Sequence, residues 1–289
     1  MSYQSVFRAG LFDGQTIIVT GGGSGIGRCT AHELASLGAH VALVGRNPDK
    51  LEAVRAEIAL DGGSASAHPC DIRDEAVVGQ TVAAVLQLRG RLDGLVNNAG
   101  GQYRTAMKTI STKGFEAVVR NNLTGGFIFM REAYTRWMED HGGVIVNIIA
   151  DIWGGWPDYA HSGAARGGML TLSETAACEW AASGVRVNTV APGGIASSGF
   201  DTYSAEAKAK ILEYPPTVPL QRYGSEAELS SAIVYLLSPA AAYITGSCIR
   251  VDGGTPNARG TCKLVPHQNS QPFQGLHRAE LPKLLTEGL

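Results

Sequence analysis

The sequence predicts an α/β fold: a single doubly wound sheet of about seven parallel strands, with helices on both faces. Three observations carry the prediction. Short β-rich runs alternate with helix-compatible stretches along the chain, a glycine-rich turn links the first run to the first helix, and no Pro/Ser-rich or charge-dense linker interrupts the chain before Gly254. Residues 1–254 therefore read as one domain and residues 255–289 as a C-terminal tail.

The elements follow in order. TIIVT, residues 16–20, is the first strand and leads into a helix over 25–37. HVALVG, 40–45, precedes the helix PDKLEAVRAEIAL; SASAHPCDI precedes a helix over 74–88; DGLVNNAG precedes a long helix over 112–140. GVIVNII is followed by a helix over 160–182, and GVRVNTVAPGG by a looser segment to about Gly224. The helix SEAELSSAIVYLLS and the strand CIRVDGG close the domain. The tail has little periodicity beyond a short helix near 278–285, so it is either a disordered terminus or a segment packed on the core or on a neighbouring subunit.

Composition narrows the function. Of 289 residues, 44% are hydrophobic and 17% charged, which suits a soluble domain with a large core. Twenty-four basic against 26 acidic residues, without a Lys/Arg block, leave no footprint for nucleic acid or an anionic membrane. The five cysteines, Cys29, Cys70, Cys178, Cys248 and Cys262, show no CxxC or Cys/His spacing, so reduced, mostly buried thiols and no metal site are expected. The N-terminus lacks a basic segment followed by an apolar one, and no apolar run approaches the roughly 20 residues of a membrane span. A cytoplasmic protein acting on a small molecule is expected.

TGGGSGIG, residues 20–27, sits where strand passes into helix, the context in which such a turn binds a dinucleotide pyrophosphate. Gly21, Ser24, Gly25, Ile26 and Gly27 form this candidate site: Gly21 and Gly25 allow the tight turn, and Gly27 allows close packing. The second strand ends in Gly45 and Arg46, where an NAD-preferring protein would carry an acid for the ribose hydroxyls. Arg46 instead offers a fork to a 2′-phosphate, with Lys50 as an outside helper, so NADPH is the expected cofactor. The other reading of Arg46 is a solvated arginine in a polar turn.

With these motifs in place the chain resembles the short-chain dehydrogenase/reductases over residues 14–254. TGGGSGIG, CDI (70–72), NNAG (97–100), NNLTG (121–125) and RVNTVAPGG (186–194) carry the resemblance. It implies a Rossmann-type sheet, with Asp71 and Ile72 at the adenine, Asn98, Ala99 and Gly100 along the cofactor, and Pro192, Gly193 and Ile195 at the nicotinamide. Asp71 has a second reading as a helix N-cap or turn residue.

In that family a Tyr-x-x-x-Lys pair, a serine and an asparagine reduce carbonyls: the ammonium lowers the phenol's pKa so that the phenol can exchange a proton with substrate oxygen. Here Ser162 stands at the tyrosine, Arg166 at the lysine and Ile149 at the serine; Asn122 alone remains. Serine is a far weaker acid than a phenol, and arginine cannot relay protons, though it supplies fixed positive charge. Hydride delivery with oxyanion stabilisation is still served. That suits reduction of a carbon–carbon double bond conjugated to a thioester, in which the α-carbon can be protonated afterwards.

The strings NNAGGQYRTAMKTISTKGF, HSGAAR and LLSPAAAYITG further resemble peroxisomal trans-2-enoyl-CoA reductases, with 2,4-dienoyl-CoA reductases as relatives also lacking the tyrosine. The last residues, Glu287, Gly288 and Leu289, are not a peroxisomal targeting tripeptide. The expectation is NADPH-dependent reduction of a 2-enoyl-CoA or dienoyl-CoA, with Asn122, Tyr159, Ser162 and Arg166 as catalytic candidates. Ser162 or its backbone would bind the thioester oxygen, Arg166 would anchor the nicotinamide ribose, and Asn122 would hold a water or a backbone turn. Tyr159 is a candidate replacement acid or a packing aromatic; Asp151 and Asp140 are weaker donors, expected on solvated loops or helix ends.

Gln102, Tyr103 and Arg104 could contact the acyl-CoA, Trp153 and Trp156 could wall the acyl chain, and His161 reads as structural. Carbonyl reduction through Tyr159 and non-catalytic NADPH binding are the alternatives. The resemblance, and the apolar surface of the helices over 112–140 and 160–182, imply a homotetramer.

Overall fold

In the computed structural model, which describes residues 2–197, 200, 205–258, 260 and 264–287, seven parallel strands form one sheet in the order β3-β2-β1-β4-β5-β6-β7. The strands are β1 (Thr16–Thr20), β2 (His40–Gly45), β3 (Ser64–Pro69), β4 (Gly94–Asn97), β5 (Gly143–Ile148), β6 (Val185–Pro192) and β7 (Cys248–Val251). Order reverses between β1 and β4, which opens a crevice at their carboxyl ends, where ligands of such sheets bind.

Alternation along the strands divides the core. Ile17, Val19, Val41 and Leu43 face α1 (Gly25–Ser36), α2 (Pro48–Leu60) and α9 (Glu226–Leu237). Ile18, Ala42, Val44 and Ile145 face α3 (Glu75–Arg89), α5 (Gly125–Ala133) and α7 (Ala160–Glu179). Both faces of the sheet are covered, as the near-continuous apolar strands require.

The long helix expected over 112–140 is helical throughout but not uniform. α4 (Thr112–Val119) passes into a π-helical segment, Arg120–Thr124, before α5; a second such segment, Tyr134–Met138, precedes the short α6 (Glu139–His141). Asn122 lies in the first π segment. The looser stretch before Gly224 contains α8 (Ala205–Glu213).

Residues 264–287 are folded onto the core. Leu276 is 2% exposed in a cluster with Tyr3, Cys29 and Ala227, Gln4 donates its N–H to the Gly275 carbonyl at 2.8 Å, and Arg278 pairs with Asp61 at 2.7 Å. The helix expected over 278–285 begins later, as α10 (Lys283–Glu287), because Pro282 has no N–H to give to a helix interior. Among the cysteines, Cys29 and Cys70 are buried and Cys248 is half-buried, but Cys178 is exposed on α7, against expectation; Cys262 lies outside the described residues. Among the described residues no cluster of metal-binding side chains occurs, and no helix is long and apolar enough to cross a membrane.

Candidate active site

The glycine-rich turn has the close approach that a bound pyrophosphate needs. Gly21 and Gly25 adopt positive φ, 68° and 56°, and a Cβ on Gly27 would run into the Gly21 carbonyl. Ser24 is the N-cap of α1 with an extended backbone, and its side chain makes no capping bond. A cleft of about 310 Å³ opens beside the turn, lined by Gly21, Ser24, Arg46, Lys50, Asp71, Ile72, Asn98, Ala99 and Gly100. Ile26, by contrast, packs toward the core.

Arg46 is exposed just past the end of β2, four residues before Lys50, and both line the cleft. Asp71 is tied into the adjacent turn: Arg73 pairs with it at 2.6 Å and holds its carboxyl down to about pKa 2. The N-cap reading of Asp71 does not hold, since Asp74 caps α3.

Two polar groups not anticipated from the sequence shape the floor. The Thr20 hydroxyl accepts from the N–H groups of Asn98 and Ala99, both at 3.0 Å, and fixes the chain leaving β4. Beneath it, Asn97 donates to Asn147 at 2.9 Å and Asn147 to Ser173 at 2.8 Å, a buried chain joining β4, β5 and α7. Their signal in the sequence was only an asparagine in an apolar strand.

Asn122 braces the same loop from the other side. Its amide donates to the carbonyls of Gly101, at 2.7 Å, and Val118, at 2.9 Å, and its carbonyl accepts from Gly101 N–H at 3.1 Å. Of its two expected tasks, it performs the holding of backbone. The π segment leaves the Val118 carbonyl available for this bond.

Arg166, at 8% exposure, is buried on α7 and donates from Nη1 to the Ile148 carbonyl at 2.7 Å. A Cβ on Gly100 would meet its Nη2, and would lie 2.6 Å from Asn122 Oδ1, so only glycine fits where β4 leaves the sheet. Burial alone pushes the guanidinium down to about pKa 10; it remains a cation at neutral pH.

Ser162 is completely buried, and its hydroxyl has no hydrogen-bond partner among the described residues. Its N–H donates to His161 Nδ1 at 2.9 Å, and the equally buried His161 ring meets the edge of Tyr103, centroids 4.6 Å apart. Ile149 packs in the core beneath α7. Tyr159 is the N-cap of α7, its ring tilted by 30° to that of Trp156 with centroids 5.0 Å apart. At the mouth, Arg104 donates to Asp158 at 3.0 Å and so ties the loop after β4 to the loop after β5; Gln102 and Tyr103 are exposed. Trp153 is 37% exposed and lies under Arg250, away from Trp156. Pro192, Gly193 and Ile195 leave β6 on the far side of the crevice, and Ile195 bridges to Gly224.

Two proton-donor candidates separate here. Asp140 is exposed on α6. Asp151, expected on a solvated loop, is instead half-buried, with Oδ1 wholly buried and unpartnered, because its backbone continues the β5–β6 ladder past the end of the strand.

A family model described as enoyl-(acyl carrier protein) reductase matches residues 21–256. The chain belongs to the short-chain dehydrogenase/reductase family. Its probable 2,4-dienoyl-CoA reductase relative from Bacillus subtilis is 35% identical over 243 residues, 83% of this chain and 96% of that one. A 3-oxoacyl-[acyl-carrier-protein] reductase from Synechocystis is 37% identical over 244 residues, 83% of this chain and 96% of that one. Among solved structures, a citronellol catabolism dehydrogenase from Pseudomonas aeruginosa is 56% identical with a TM-score of 0.80, covering 88% of this chain and all of that one, 100%. The protein is thus a short-chain oxidoreductase of a family that uses a nicotinamide cofactor. Isoleucine, serine and arginine stand at 149, 162 and 166.

Proposed function

We propose that the protein reduces the conjugated C=C bond of a 2-enoyl-CoA or dienoyl-CoA thioester with NADPH. The observation that carries this reading is the pairing of a buried, carboxylate-free guanidinium, Arg166, with a buried hydroxyl, Ser162, where a carbonyl-reducing site needs an acidic phenol. When bound, reduced nicotinamide supplies the hydride. Ser162 offers its unpartnered hydroxyl, or its first-turn backbone, to the thioester oxygen on which charge develops. Arg166 holds the nicotinamide ribose and adds positive potential, and Asn122 keeps the wall at Gly101 in place. Arg46, with Lys50, takes the 2′-phosphate that favours NADPH.

Support comes from the 35%-identical dienoyl-CoA reductase relative, and from two apolar side chains exposed on the segment after β4, Tyr103 and Met107. The domain over residues 1–254, a homotetramer and cytoplasmic residence belong to the same reading. Mixing the purified protein with NADPH and trans-2-enoyl-CoA thioesters of several lengths tests it. Oxidation of NADPH with the enoyl substrate, faster than with NADH or with a β-ketoacyl-CoA, is expected; no oxidation despite measured NADPH binding would overturn it.

A second reading is alcohol or carbonyl chemistry with Tyr159 as acid. It is favoured by the 56%-identical protein named for citronellol catabolism and the 37%-identical 3-oxoacyl reductase. Turnover of a terpene alcohol or a ketone, abolished in Tyr159→Phe, would establish it instead.

A further inference from the structure

The site as described lacks a proton source for the substrate α-carbon, and the strand ends supply one. Ile149 N–H donates to the Val190 carbonyl at 2.9 Å and Asp151 N–H to the Pro192 carbonyl at 3.0 Å, so the β5–β6 ladder runs on beyond the strand. Alternation then puts the Asp151 side chain on the face of Ile149, the residue at the family's serine position, one step nearer the ligand end of the sheet. On β7 the same alternation brings Arg250 and Asp252 to that face, and a Cβ on Gly193 would lie 2.7 Å from Asp252 Cα. The two carboxyls therefore flank Pro192–Gly193, the stretch expected at the nicotinamide.

Neither carboxyl is satisfied as an anion. Asp151 Oδ1 and Asp252 Oδ2 are both buried without a hydrogen-bond partner, although Asp252 Oδ1 accepts from Gly254 N–H at 2.8 Å. Arg250 stands 3.7 Å from Asp252 and lies over the Trp153 ring, so Asp252 has the nearer claim on the cation. Burial first, and the Asp252 charge second, raise the Asp151 pKa, against smaller opposing effects of the Trp153 N–H and Arg250. A partly buried carboxyl beside a second carboxyl favours its protonated form.

We propose that Asp151, as the neutral carboxylic acid, is the catalytic proton donor to the substrate α-carbon. The proposal rests on the enoyl-reduction reading. Hydride, with its electron pair, bonds to the β-carbon; the π pair of the C=C bond moves toward the thioester as an enolate. The Asp151 O–H bond then breaks, its pair staying on the carboxylate, while the proton forms the C–H bond at the α-carbon. The alkene is reduced, the dinucleotide is oxidised, and Asp151 regains a proton from water. Asp252, 3.7 Å from Arg250 and accepting from the Gly254 N–H, is the positioning residue whose nearness favours the protonated form of Asp151.

The test compares wild type with Asp151→Asn and Asp252→Asn. Asp151→Asn is expected to lower kcat by about 100-fold with little change in KM, the size of a lost general acid. In deuterated water its product should carry α-deuterium on both faces rather than one. Asp252→Asn, by removing the like charge, should move the high-pH decline of kcat to lower pH. Infrared difference spectra of the free protein should show a protonated-carboxyl band that is absent from Asp151→Asn.

If wild type turns over enoyl-CoA while Asp151→Asn keeps its rate and its one-faced labelling, the acid assignment falls and the enoyl-CoA reading stands. If wild type turns over no enoyl-CoA, both fall. Should Asp151→Asn not fold, an unmoved pH profile in folded Asp252→Asn overturns the assignment.

Discussion

Arg166 Nη1 donates to the carbonyl of Ile148 across 2.7 Å, and the far side of the same guanidinium lies against Gly100, so one side chain spans the ends of β5 and β4. A buried cation whose surroundings are carbonyl oxygens rather than a carboxylate is a cost to folding. Its retention therefore points to a ligand. Arg166→Met should leave the melting temperature unchanged or raise it, while weakening NADPH binding at least tenfold, about 1.4 kcal/mol. Thermal unfolding and fluorescence titration of NADPH decide; a large drop in melting temperature with unchanged affinity would contradict the assignment.

Arg46 is exposed and the role proposed for it is electrostatic, so its substitution should be silent for stability and selective for cofactor. Arg46→Ala is expected to cut kcat/KM for NADPH by roughly 10- to 100-fold, the loss of a charge-assisted fork, with little change for NADH. Equal losses for both dinucleotides would place Arg46 outside the 2′-phosphate contact.

Glu226, the first residue of α9, sets a pH dependence. A Cβ on Gly25 would lie 3.7 Å from its Oε1, beside the N-terminus of α1 proposed to take pyrophosphate, and burial raises its carboxyl to about pKa 7, partly opposed by Arg28. A folded pKa above the unfolded one means that the protonated form favours folding. That contribution is present in full below the unfolded value near 4.5 and is lost as pH rises through about 7. The same ionised carboxylate repels pyrophosphate. NADPH affinity should fall between pH 6 and 8, on the order of one titrating group, and Glu226→Gln should flatten the curve.

Asn122→Ala removes two hydrogen bonds that brace Gly101 against the π segment and a third to the Val118 carbonyl. Leaving the Gly101 groups unsatisfied should cost about 1–3 kcal/mol in denaturant unfolding. Asn122→Asp, which keeps the acceptor but loses the donors, should recover part of it.

The packed C-terminal segment predicts a stability role for what composition leaves featureless. Leu276 is 2% exposed between Tyr3 and Ala227, so Leu276→Ala should destabilise by about 2–5 kcal/mol. A change under half a kcal/mol in urea unfolding would mean that the segment is only loosely seated.

Much of this was legible in the linear chain. Strands buried on both faces read as apolar runs, and Gly21, Gly25 and Gly27 stand out because a turn against a phosphate tolerates nothing larger; the alternation of runs and helices places both on one sheet. The placing of Ser162 and Arg166 on one helix was legible too, since helical register is local. The brace from Thr20 to the β4 loop, the Asn97–Asn147–Ser173 chain, the π segment at Asn122 and the docking of the tail were not. Each joins residues far apart in sequence and leaves no periodic trace.

Residue order alone thus specified the sheet and the glycine-rich turn between β1 and α1, because those depend on near neighbours and a regular hydrophobic repeat. Whether a carboxyl such as Asp151 sits in water or against Asp252 depends on which strand ends meet. Burial and charge proximity are properties of the folded assembly of strands, and they leave Asp151, solvated as the sequence reads, half-buried with its carboxyl pKa above the ordinary value.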